Sequence, residues 1–152
     1  MSNLSRPTVS ILTRTKDLAN LAGREIMIVD ESQSLRALLR HYLEPLNATI
    51  LDASTGREAL DLSKGLNDLA IIILGIQMPE MDGLEFAECV QNEIANGTRR
   101  RVPIVMITSE STRDIAVRAQ KFGVNSWIMK PPRQDVLLKM VTRLVQKSTI
   151  AA

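Results

Sequence analysis

Aromatic side chains are scarce: Phe, Trp and Tyr make up 3% of the 152 residues. A core without them must be aliphatic, and a reader of nucleic acid that stacks bases on aromatic platforms is disfavoured. A single cysteine, Cys89, excludes an internal disulfide and a multi-cysteine zinc site. It fits a reducing cytoplasm and reads as half-buried helix filler. The single histidine, His41, points away from the apolar stripe of Leu38, Leu39 and Tyr42, so a solvated surface position is expected. No apolar run approaches the roughly 18 residues of a membrane span. Met1 to Pro7 lacks the apolar stretch of a secretory signal. A soluble cytoplasmic protein with no membrane partner is the expectation. A nucleophile–base pair, a Gly-rich phosphate loop and a metal-ligand cluster are missing too, so no enzyme and no catalytic residue are expected.

What is present is an alternation of strand and helix patterns. Residues 1–23 form an extension or linker, in which Ile11 to Leu21 has the spacing of a short amphipathic helix ended by Gly23. Strands are predicted over Ile26–Val29, Ala48–Ala53, Ala70–Gly75, Pro103–Ile107 and Ser126–Met129. Helices are expected after Ser32, from Thr55, from about Gly83 to Ala95, after a capping-box-like Ser111-Thr112-Arg113-Asp114, and after Pro132. The pattern predicts an α/β, flavodoxin-like, doubly wound sandwich on a five-stranded parallel sheet in the order 2-1-3-4-5. The domain is expected over 24–147, with 148–152 as a tail.

Charge is polarised. Residues 24–98 carry five basic and thirteen acidic side chains, whereas 99–152 carry eleven basic and three acidic. The triplet Arg99-Arg100-Arg101, in a loop before the fourth strand, is a candidate contact for an anionic partner.

In open α/β sheets, chemistry sits beyond the carboxyl ends of the strands. Those ends supply Asp30 and Glu31, then Gly75, then Thr108 and Ser109, then Lys130. Two acids, a hydroxyl and an ammonium are the parts that bind a divalent cation and a phosphoryl group. The glycine supplies nothing.

Four motifs in this order carry a specific resemblance: Val29-Asp30-Glu31-Ser32, Gly75-Ile76-Gln77-Met78-Pro79-Glu80-Met81-Asp82-Gly83, Ile107-Thr108-Ser109 and Trp127-Ile128-Met129-Lys130-Pro131. Over about residues 24–147 the chain resembles the receiver domain of bacterial response regulators. The resemblance implies that Asp30 and Glu31 match the acidic pair that holds Mg²⁺, and Gln77 the position whose backbone carbonyl completes that site. It implies that Thr108 and Lys130 match the groups that contact the phosphoryl group, with a cis bond after Lys130. Trp127 falls at the switch aromatic, as core or as an interface side chain. Gly75 falls where the family has its phosphorylated aspartate.

Glycine has no nucleophile. The chain therefore reads as a pseudo-receiver that requires no cofactor, with weak Mg²⁺ binding at most. Lys130, deprived of its nearest anion, is expected to turn to Asp30 or Glu31. The function implied is a protein-interaction module of two-component signalling. Its partners would be a histidine kinase, another signalling protein, or a second copy through the face of the fourth helix, fifth strand and fifth helix. An ordinary Asp-phosphorylated receiver captured as a Gly75 variant is the alternative, and nucleic-acid binding through the basic half a remote one.

Overall fold

The computed structural model describes residues 17–66, 68–78, 80–109, 113–124 and 126–151. Its strands are β1 (Glu25–Val29), β2 (Thr49–Ala53), β3 (Leu69–Gly75), β4 (Ile104–Thr108) and β5 (Ser126–Met129). Its helices are α1 (Gln33–Tyr42), α2 (Gly56–Ser63), α3 (Gly83–Ala95), α4 (Arg113–Lys121) and α5 (Gln134–Ala151), with a 3₁₀ turn at Glu44–Leu46. The strands pair in parallel in the order β2-β1-β3-β4-β5. This is the flavodoxin-like arrangement that the alternation predicts.

Both faces of the sheet are covered, which is why its inner strands β1, β3 and β4 are near-continuous apolar runs rather than alternating. Ile26, Ile28, Ile71 and Ile73 point to one layer with Leu39 and Leu43 around α1 and Leu137, Leu138 and Val141 of α5. Met27, Val29, Ile72 and Leu74 point to the other, with Leu84, Phe86 and Val90 of α3 and Ala119 of α4. The core is aliphatic apart from Phe86.

Polar residues start the helices. Ser32 Oγ accepts the Leu35 N–H at 3.1 Å, and Thr55 Oγ1 accepts the Glu58 N–H at 3.1 Å. Asp82 and Glu85 form a reciprocal capping box at 2.9 and 3.0 Å. The box expected from Ser111 lies outside the described residues.

Two readings need correction. The extension's helix fails over its described part: Leu18 to Leu21 is not helical. Tertiary contacts win there over helical spacing. Leu21 is buried in the α1–α5 layer, its N–H donates to the Leu46 carbonyl at 2.7 Å, and the Ala19 N–H donates to Thr142 Oγ1 at 3.1 Å. The first part of that stretch, 11–16, lies outside the described residues. At the other end α5 continues to Ala151, through the stretch read as a tail; no proline or glycine interrupts it.

Candidate functional site at the carboxyl ends of the strands

The register brings the expected residues together. Val29 pairs with Leu74, and Gly75 with Ile107. Asp30, Gly75 and Thr108 therefore lie side by side at the sheet's carboxyl end. Thr108 pairs with Met129, which carries Lys130 to the same rim. The Lys130 N–H donates to the Thr108 carbonyl at 2.9 Å, and the Lys130–Pro131 bond is cis.

Asp30 is 4% exposed and Thr108 5%. One Asp30 carboxylate oxygen, Oδ1, accepts the Ser32 N–H at 2.8 Å. The other, Oδ2, faces the Lys130 ammonium at 3.7 Å, the pairing expected once position 75 has no carboxylate. A Cβ placed on Gly75 would overlap Asp30 Oδ2 and lie 3.0 Å from its Cγ. The Asp30 carboxylate thus occupies the space a side chain at 75 would enter.

Glu31 and Gln77 are exposed, and Trp127 packs half-buried against the layer of α3 and α4. Arg99, Arg100 and Arg101 lie at the opposite end of the sheet, before β4. His41 is exposed, as expected, and Cys89 is intermediate. Burial pushes the Cys89 thiol above its ordinary value, and Glu93, Glu88 and Glu85 add to that.

Two contributors escape the sequence reading. Arg36 donates to the Asp30 carbonyl at 2.7 Å and sits 3.5 Å from Asp52, bracing the strand end from α1. Its position one helical turn past Ser32 is a signal, but a weak one. Gly83 is the second: its N–H donates to the Ile76 carbonyl at 2.6 Å, and a Cβ there would overlap the Gly75 carbonyl oxygen. Only glycine lets the loop after β3 close onto the strand end.

The residues present fit a hard divalent cation poorly. Such an ion wants several convergent oxygen ligands. Here one acid faces an ammonium and the other is turned to solvent, and among the described residues no three His, Cys, Asp or Glu side chains converge.

A parallel five-stranded α/β sandwich with an acid, a hydroxyl and a lysine at its strand ends defines a receiver-type signalling domain. The comparisons agree: residues 26–142 match the response regulator receiver domain family, and the chain belongs to that family. It is 35% identical over 131 residues to the transcriptional regulatory protein SrrA of Staphylococcus aureus, covering 84% of this chain and 52% of that one. The chain thus spans about half the length of the curated relatives it matches. Among solved structures it resembles the chemotaxis protein CheY4 of Vibrio cholerae at 29% identity and a TM-score of 0.72, covering 81% of this chain and 99% of that one. It also resembles the receiver domain of a signal transduction histidine kinase from Syntrophus aciditrophicus at 29% identity and a TM-score of 0.71, covering 82% and 92%. The chain is a receiver domain of two-component signalling. Among the described residues, no helix is long and apolar enough to cross a membrane.

Proposed function

We propose that this receiver domain signals by binding another protein and takes no phosphoryl group at the strand end. One observation carries the reading: position 75 is glycine, and the buried Asp30 carboxylate fills the space where an acceptor side chain would stand. A phosphoryl transfer needs a carboxylate oxygen there as nucleophile. Asp82 cannot substitute, because its carboxylate caps α3. Lys130, which would otherwise contact the phosphoryl group, is paired with Asp30. The domain works in this reading without catalysis and without a required metal.

The partner side is the face of α4, β5 and α5. Val117 and Met129 there are 60% and 45% exposed, and the face belongs to the basic half of the chain. Exposed apolar side chains in a basic half of the chain suit an acidic protein surface, such as a histidine kinase or another signalling protein.

The test uses acetyl phosphate, and separately beryllofluoride, each with Mg²⁺. Trp127 fluorescence should not change, and mass spectrometry should find no covalent phosphate. A saturable fluorescence change, or a phosphorylated peptide, would reject the reading.

A further inference from the structure

The outer face of α5 is basic. Val136, Lys139, Arg143 and Lys147 recur at helical spacing along one stripe, about 16 Å long at 1.5 Å per residue. All four side chains are exposed. The single acid of the helix, Asp135, is held by Arg133 at 2.8 Å. Among the described residues, Lys139, Arg143 and Lys147 meet no carboxylate within ion-pair distance. Cations four residues apart on a helix repel one another, so the stripe gains from an anionic neighbour.

The layer on the other side of the sheet is acidic. From Gly56 to Cys89 the chain carries seven acidic side chains and two basic ones, Arg57 and Lys64. Lys64 lies 3.7 Å from Asp61, and Arg24 comes in from outside the segment to hold Asp68 at 3.0 Å. With all three cations counted against the seven acids, four negative charges remain. α3 holds Glu85, Glu88 and Glu93 and no cation. A cleft of about 420 Å³ opens on this side, lined by Thr55, Arg57, Glu58, Asp61, Leu62 and Glu80.

The two surfaces point away from each other. α5 packs on the sheet through Leu137, Leu138 and Val141, and α2 and α3 pack on the opposite face through Ala59, Leu84, Phe86 and Val90. Each surface also carries an apolar side chain among its charges: Val136 on one and Leu62 on the other, both 38% exposed. A convex basic stripe and a concave acidic cleft on opposite sides of one domain are complementary between copies in the same orientation. The net charge of +2 leaves little general repulsion against such contact.

We propose that copies of this chain associate head to tail, the α5 stripe of one seated on the α2–α3 side of the next. The contact joins two different surfaces, so it repeats into chains rather than closing as a symmetric pair. It rests on the reading that the domain signals by binding without a phosphoryl group, and it names a second copy as one acidic surface that α5 meets.

Sedimentation velocity of the whole chain tests it. The average mass should rise with protein concentration at about 0.05 M salt and fall to that of one chain at about 0.5 M. Lys139→Ala/Arg143→Ala and, separately, Asp61→Asn/Glu80→Gln should each weaken association at least about tenfold. All four side chains are exposed, so the fold should survive, and unchanged circular dichroism confirms it. Mixed together, the two variants still offer one intact surface each. They should form a two-chain complex and nothing larger. A single-chain mass at every concentration in low salt overturns the inference. So does full association of Asp61→Asn/Glu80→Gln, which would mark a symmetric α5 contact, or binding of the α5 stripe to anionic lipid vesicles without self-association. Association should be the same with and without acetyl phosphate and Mg²⁺. Association that needs acetyl phosphate would confirm the contact and reject the phosphate-independent reading beneath it.

Discussion

The two ends of the sheet use charge in opposite ways. At the carboxyl end the polar groups are spent on one another: Asp30 is held by the Ser32 N–H and the Lys130 ammonium, and the space beside Gly75 is filled. At the amino end two carboxylates steady two arginines, Asp68 with Arg24 and Glu93 with Arg99, and Lys64 lies 3.7 Å from Asp61, around an open pocket. The same strands support both ends, so the backbone does not decide the difference. Side chains at a few positions do. At the carboxyl end a carboxylate meets a single cation across a closed strand end, whereas at the amino end arginines outnumber acids around a concavity.

Substitutions can break this contrast from either end. The largest effect is expected for Gly83→Ala. Its Cβ would overlap the Gly75 carbonyl oxygen and lie 2.9 Å from the Gly75 carbonyl carbon, and backbone cannot step aside cheaply. A loss of about 3 kcal/mol in urea unfolding is expected. A loss near zero would mean that the loop after β3 is not closed onto the strand end.

Arg99→Ala should come next, at about 2 kcal/mol, because it strips Glu93 and the buried Ser63 of their shared donor. Equal stability in both chains would show that the amino-end wall is not braced.

The smallest effect sharpens the picture of the carboxyl end. Gly75→Ala should cost about 1 kcal/mol by displacing the Asp30 carboxylate, and should cost nothing further once Asp30→Ala has emptied that space. Strict additivity in this double-mutant cycle would mean that the two positions do not share the space.

Much of this was legible in the chain. Strand spans came out within about a residue, because runs such as Ala70 to Leu74 are apolar enough to be buried on both faces. Helix starts at Ser32 and Thr55 follow from side-chain oxygens that cap them. The convergence of Asp30, Gly75, Thr108 and Lys130 followed from strand order alone. Other features depend on three-dimensional neighbours. Leu18 to Leu21 has helical spacing, yet Leu46 and Thr142 draw its N–H groups elsewhere. Arg99-Arg100-Arg101 reads as one basic run, but Arg99 faces Glu93 and Ser63 while its two neighbours are exposed. Gly83 looked like a helix start, and its true constraint is a backbone more than five residues back that no local pattern reports.

The overlap between Gly75 and Asp30 also ties position 75 to more than its own side chain. Any larger residue there meets a carboxylate held by the Ser32 N–H and the Lys130 ammonium, so it must turn that carboxylate aside and loosen both contacts. The occupancy of one strand end is thereby read out at its neighbours, in the start of α1 and in the lysine after β5.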